Sequence, residues 1–168
     1  MSHWSKTLAA LFLLCLAPSV HAGGKAEDAP IISFHMETEA TDNPKMIFPA
    51  QINGQQRWFR RLSDISSKDI AAFGPFPDDL GGDTYGVAIQ LKPHAARRLA
   101  AVTAVNQGKW MVARVNGRVV DAVVIDKQID DGYLIIWRGV TLAEINVYDK
   151  IVPRIGASDV EKKKKKNK

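Results

Sequence analysis

Two ionisable side chains, His35 and Glu37, lie two residues apart in a segment of alternating character. On a β-strand that spacing sets both on one face, as two metal ligands or an acid–base pair would be set. A protein metal site needs three or four donors, and the other histidine beyond the N-terminal segment, His94, stands at a helix start far along the chain. Alternation gives a simpler expectation, in which His35 and Glu37 occupy the polar, solvent-facing side of an edge strand. Asp78, Asp79 and Asp83 gather in a glycine-rich stretch, but their spacing departs from the calcium-loop pattern D-x-[DN]-x-[DN]-G. Turn formation accounts for them, because Asp bonds readily to nearby backbone. Ser63, Ser66 and Ser67 fall at a helix entrance and outside any G-x-S-x-G elbow, where capping is their ordinary use. Neither G-x-G-x-x-G nor G-x-x-x-x-G-K-[ST] occurs. The expectation is a non-enzymatic protein with no catalytic residue, no metal and no cofactor.

Aromatic and basic residues offer a different chemistry. Arg57, Trp58, Phe59, Arg60 and Arg61 run consecutively along one strand, so alternation buries one of Trp58 and Phe59 and leaves the other outside. Trp110 and Trp137 flank the later part of the sheet in similar positions. Trp, Tyr and Arg are enriched where proteins meet proteins, so these seven residues form the candidate surface for a polypeptide or an envelope protein. Two other readings compete with it. One is a small periplasmic metal-dependent or acid–base hydrolase using His35, Glu37 and the loop aspartates; the other is a protein held at a membrane surface by its C-terminal lysines.

The elements that would position these residues are marked by turns and caps. Ile32, Phe34 and Met36 alternate with polar neighbours in a first strand. Asn53-Gly54 and Asn116-Gly117 each separate two strand-like runs, 46–52 from 55–62 and 110–115 from 118–125, and both are hairpin turns because their residues tolerate positive φ. The second hairpin is the more hydrophobic and is expected at the centre of the sheet. Ser66 and Asp69 open a short helix ending at Gly74, followed by a loop to Asp83. Residues 84–91 and 133–138 read as strands. Pro93 opens a helix to about Asn106 with Ala95, Leu99, Val102 and Val105 as its apolar stripe. Thr141 and Glu144 form a capping box for a last helix, with Leu142, Ile145, Tyr148 and Ile151 or Val152 as its apolar stripe, that stops near Pro153. This order gives an α+β fold: a mostly antiparallel sheet with two hairpins, covered on one face by two or three helices.

Length and composition agree with one soluble domain. The chain has 168 residues, 46% hydrophobic and 24% charged, which excludes a disordered, collagenous or multi-span chain. The single cysteine, Cys15, excludes a disulfide framework and a multi-cysteine zinc site. Residues 1–22 have a basic start, an apolar run too short to span a bilayer and a compact ending at Ala22, the layout of a signal peptide cleaved before Gly23. Leu14 before Cys15 departs from the small residue that lipidation requires. The expected location is therefore periplasmic or extracellular, with residues 23–30 a linker, 31–157 one domain and 158–168 a tail. The net charge of +5 belongs to that tail, where Lys162, Lys163, Lys164, Lys165, Lys166 and Lys168 cluster. Without the tail and the N-terminal segment the remainder is close to neutral, so no specific nucleic-acid surface is expected. The lysines would each contribute about 1 kcal/mol beside an anionic membrane.

Several blocks in order carry a resemblance. They are Val87-Ala-Ile-Gln-Leu with Ala95-Ala-Arg-Arg-Leu-Ala, Thr103-Ala-Val-Asn-Gln-Gly-Lys109, Val112-Ala-Arg-Val-Asn-Gly-Arg-Val-Val-Asp-Ala122, Ile129 to Gly132, and Gly139-Val-Thr-Leu-Ala-Glu144. Over about residues 62–152 the chain resembles the head of the first periplasmic domain of SecD, from the bacterial protein-export machinery. Ala122-Val-Val-Ile125 lacks the proline of that family's pattern, and Val140 stands where an aromatic residue is usual. The proton-coupled transmembrane helices of SecD have no counterpart in this sequence. The resemblance thus implies a head-like fold, a periplasmic setting and engagement of polypeptide, without the translocation motor.

Overall fold

The structure is a computed structural model that describes residues 31–78 and 82–157. The expected signal peptide, the linker, Asp79 and the lysine tail lie outside the described residues. Strand β1 (Ile32–Thr38) is followed by the hairpin β2 (Ile47–Ile52) and β3 (Gln55–Arg60), and then by the two-residue β4 (Ile65–Ser66). After one 3-10 turn (Ser67–Asp69) come β5 (Ile70–Pro77), β6 (Thr84–Leu91), α1 (Pro93–Ala104), the hairpin β7 (Trp110–Val115) and β8 (Arg118–Val124), β9 (Tyr133–Thr141) and α2 (Leu142–Ile151). The fold is α+β, built of antiparallel sheets and two α-helices.

There are two sheets rather than one. The larger runs β2-β3-β1-β7-β8, with β4 also pairing β1; the smaller runs β5-β6-β9. Both hairpins turn at the expected dipeptides, with φ of 50° and 76° at Asn53 and Gly54 and 51° and 78° at Asn116 and Gly117. Left-handed backbone at both turn positions matches the right-handed twist of the flanking strands. β7 lies inside the larger sheet while β8 ends it, so the second hairpin straddles the border instead of occupying the centre.

The expected helix after Ser66 is a single turn that gives way to β5. Asp69 accepts hydrogen bonds from the Ser66 backbone N–H and hydroxyl, at 2.9 and 3.1 Å, so the capping chemistry is present. The segment after it, Ile-Ala-Ala-Phe-Gly-Pro-Phe-Pro, cannot continue a helix past its prolines. As an edge strand it suits them. Phe73 turns its N–H and C=O outward, to the Pro153 carbonyl and the Ile155 N–H. Pro75 and Pro77 share that outward parity, where a missing N–H costs no ladder bond.

The main core lies between the two sheets and under both helices. It takes Ile32, Phe34 and Met36 from β1, Met111, Ala113 and Val115 from β7, and Val87, Ile89, Leu134 and Ile136 from the smaller sheet, closed by Leu99, Ile145 and Tyr148 of the helices. Val105 is 79% exposed, and Thr103 takes its place on the buried side of α1 with its hydroxyl on the Leu99 carbonyl at 2.8 Å. The capping box of α2 forms as expected, with Glu144 accepting from the Thr141 N–H at 2.9 Å and donating its own N–H to the Thr141 hydroxyl at 3.3 Å. A second, smaller cluster of Phe48, Ile52, Phe59 and Val112 lies where the β2–β3 hairpin curls over the other face of β1 and β7. No helix among the described residues is long and apolar enough to cross a membrane.

Candidate functional site

That smaller cluster decides the fate of His35 and Glu37. They do share a face, as their spacing requires, but β1 is an inner strand between β3 and β7, and the hairpin covers the face instead of water. His35 is 3% exposed, edge-on to the Phe48 ring with centroids 5.2 Å apart. Its Nδ1 lies 2.8 Å from the Arg60 carbonyl oxygen, an acceptor only, so Nδ1 carries the proton and donates. Nε2 then accepts from the Ser33 hydroxyl, also at 2.8 Å. Burial pushes the imidazole below its ordinary 6.5 and the Arg114 charge adds to this, opposed by the Arg60 carbonyl and the Asp64 charge. The ring is a neutral tie between strands with both nitrogens occupied.

Glu37 is equally committed. One carboxylate oxygen is 2.7 Å from the Arg57 guanidinium and the other accepts from the Trp110 N–H at 2.9 Å. Arg57 in turn lies over the Trp110 ring, 5.3 Å from its centroid. The carboxylate therefore fixes an arginine and a tryptophan from different strands in one stack.

Among the described residues no three His, Cys, Asp or Glu side chains come together as a metal would need. Asp78 accepts from the Thr84 hydroxyl at 2.9 Å, a turn contact. His94 falls beside Asp69, not beside His35, at 3.5 Å, and Arg98 reaches the same carboxylate at 2.7 Å. Burial pushes the Asp69 carboxyl upward, but the hydrogen bonds from Arg98 and Ser66 outweigh it and hold it below its ordinary range. This group ties α1 to the β4–β5 corner.

Of the seven aromatic and basic candidates, Arg57 and Trp110 are brought together and the rest are dispersed. Phe59 is fully buried in the small cluster. Trp58, half-buried on the opposite side of β3, pairs with Pro49 and Thr38. Arg60 lies 3.6 Å from Asp64. Arg61 donates to the Lys45 and Ile47 carbonyls at 3.2 and 2.9 Å, which closes the base of the first hairpin. Trp137 belongs to the other sheet, against Phe76 at 6.1 Å between centroids, and is 53% exposed.

Beside Trp110 an open groove of about 250 Å³ runs between the tip of the first hairpin (Gln51, Ile52, Asn53), the β8 segment from Val119 to Ala122, and Arg138 of β9. β8 is the last strand of the larger sheet, and its outer edge has no ladder partner, although β9 of the smaller sheet lies against part of it. That edge is bulged, since Ala113 faces Asp121 while the next residue, Arg114, faces Val119. Asp121 bridges the edges of the two sheets, accepting from the Ala122 N–H at 2.8 Å and the Trp137 N–H at 2.7 Å. Arg118 donates to the Gly139 carbonyl from two nitrogens at 3.1 Å. Gly139 has φ +85°, and a Cβ there would lie 3.1 Å from the Val120 Cβ, so glycine permits this approach of β9 to β8. Arg138 and the hairpin tip were not among the candidates read from the sequence. The Asn53-Gly54 turn is local information, but its placement over β8 depends on the curl of the hairpin, which no short pattern encodes.

The fold defines a class: a small α+β module of two antiparallel sheets that meet edge to edge and share a core under two helices. It is similar in fold to part of SecDF. A structure of "a membrane component SecDF that enhances protein export" matches 71% of this chain and 60% of its own, with a TM-score of 0.50 and 19% identity. SecDF in its super-membrane-facing form matches 71% of this chain and 18% of its own, with a TM-score of 0.51 and 19% identity. The chain thus spans less than two thirds of either protein, and at this identity the likeness is one of fold. No protein-family model and no curated protein matches the sequence.

Proposed function

We propose that the protein is an exported, non-enzymatic binding module that takes an extended segment of polypeptide, from a protein in transit or a resident envelope protein, along the edge of β8. The observation that carries this reading is the groove beside β8, the terminal strand of the larger sheet, with Trp110 and Arg138 in its lining. An exposed strand edge is a template for main-chain pairing, and alternate side chains of the added strand then seek pockets. At about 250 Å³ the groove is smaller than the roughly 300–1,000 Å³ of sites that enclose a small molecule, and it suits one or two side chains of a longer ligand. Trp110 is held in place by Glu37 and Arg57 before any ligand arrives, which lowers the ordering cost of binding. The likeness of fold to SecDF, a component that enhances protein export, supports the same reading. The tying of His35 and Glu37 into strand contacts leaves the competing hydrolase without its proposed acid–base pair.

The test is fluorescence anisotropy of a labelled, unfolded secretory polypeptide titrated with the protein. Binding is expected, weakened about tenfold or more by Arg138→Glu and by Trp110→Ala, as contacts at the centre of an interface are. Arg138 is exposed, so its variant leaves the fold intact. No binding, or binding indifferent to both substitutions, refutes the proposal; shortening of the labelled chain during incubation would revive the hydrolase.

A further inference from the structure

We propose a second surface, independent of the groove: the outer face of the β5–β6–β9 sheet, acting with the C-terminal lysines, docks on an anionic lipid bilayer. Cross-strand partners share a face, which places Gly74, Ala88 and Ile135 in one row and Phe76 beside Gly86 in the next. Phe73, Val87, Ile89, Leu134 and Ile136 point the other way, into the main core. On the outer face Tyr133, Ile135 and Trp137 are 38%, 39% and 53% exposed. The Phe76 ring lies against Gly86, where an added Cβ would stand 2.2 Å from it, and it meets the Trp137 ring. Ile155, 37% exposed, extends the band, its Cδ1 3.4 Å from the Cβ position of Gly74. An apolar band edged by Trp and Tyr is the composition that settles at the boundary of headgroups and acyl chains.

One such contact gives only marginal membrane binding, and a second, electrostatic one is needed for stable association. The chain supplies it. Seven to thirteen residues beyond Ile155 along the chain stand the lysines at 162–166 and 168. Juxtaposed lysine clusters are drawn to anionic headgroups within a Debye length of the surface.

Two other occupants fit less well. A protein strand adding to the outward edge of β5 would find the Phe73 N–H taken by Pro153 and no N–H at Pro75 or Pro77. A second copy would bring two lysine-rich tails of like charge into one complex, where they repel. A lipid surface needs neither a strand partner nor a counter-charged protein.

The experiment expresses the full chain, purifies the form that cells accumulate, and measures sedimentation with vesicles of phosphatidylcholine alone or mixed with phosphatidylglycerol. Binding to the mixed vesicles is expected to exceed binding to neutral ones at least tenfold and to fall on raising salt to about 0.5 M. Deleting residues 162–168 is expected to lower partitioning about 100-fold or more, and Trp137→Ser about tenfold. Equal binding to both vesicle types overturns the proposal. So does loss of binding on tail deletion with none on Trp137→Ser, because the lysines would then act alone. Self-association that Trp137→Ser abolishes, without vesicle binding, assigns the face to a second copy instead. Capture of an unfolded polypeptide through Trp137, again without vesicle binding, assigns it to protein.

Discussion

On the outer face of the larger sheet, Ser33, His35 and Glu37 have the polar alternation of a solvent-facing strand, yet the β2–β3 hairpin curls over them and buries Phe48 and Phe59 there. On the outer face of the smaller sheet, the run Tyr-Leu-Ile-Ile-Trp of β9 has the continuous apolar character of a strand buried on both sides, yet every second residue stays in contact with water. The polar face is closed and the apolar face is open. Closing the first required that each polar group find a partner, and the His35 and Glu37 bonds supply them. Leaving the second open costs apolar exposure, which a folded protein retains where something is to be bound. A residue's polarity therefore reports what a face needs, and only the surrounding chain decides whether it is covered.

The contrast breaks most sharply at Phe59. Phe59→Ala empties the centre of the covered face, where Phe48, Ile52 and Val112 cannot all collapse inward, and should cost about 3–5 kcal/mol by urea denaturation. A loss under about 1 kcal/mol would mean that the hairpin is not held on the sheet through this cluster. Gly86→Ala tests the uncovered face in the opposite sense, by adding an atom. The new methyl would stand 2.2 Å from the Phe76 ring and 2.7 Å from the Trp137 carbonyl oxygen, so either the ring swings away or β9 shifts. Overpacking of this kind should cost about 1–3 kcal/mol in the same measurement.

His35 sharpens the contrast through pH. Its pKa is lowered in the folded protein relative to 6.5 in the unfolded chain, so between the two values the unfolded state binds the extra proton. The stability tied to a neutral His35 is fully present above 6.5 and declines as pH falls from there toward the folded value. Urea midpoints at about pH 7.5 and 5.5 should differ in that direction, and His35→Gln should shrink the difference. The outer face of the smaller sheet holds no histidine among the described residues, so a pH effect unchanged by the substitution would belong to groups other than this histidine.

Legibility in the sequence divides along the same line. Both Asn-Gly turns, the Thr141–Glu144 capping box, Pro93 opening a helix and the alternation of β1 and β6 are local, each set by residues within one turn or one strand, and each is found where the pattern places it. Residues 70–77 mislead a local reading because Ser66 and Asp69 carry capping chemistry that serves a single turn as well as a helix, while Pro75 and Pro77 belong to an edge that only tertiary pairing reveals. The candidate surface is legible to the same extent. Arg57 and Trp110 stand out in the sequence as basic and aromatic, but their stack is assembled by Glu37 across three strands. Arg138 reaches the groove because β9 comes edge to edge with β8, a contact between residues far apart in the chain that leaves no mark in either segment.

Trp137 is where exposure and stability should part. It is large, aromatic and 53% exposed, and its main-chain N–H, not its indole, carries the bond to Asp121. Trp137→Ser keeps that bond and removes mostly surface that already touches water, so the folding free energy should stay within about 0.5 kcal/mol. The lost edge contact with Phe76 is the one packing term that opposes this. Cores keep large aromatics for stability; a face that keeps one without a stability return keeps it for contact. Urea midpoints of the wild type and Trp137→Ser measured together decide the matter. Coincident midpoints leave the indole free to serve an outside partner, whereas a shift beyond about 1 kcal/mol would make it a wall of the fold and the two outer faces alike after all.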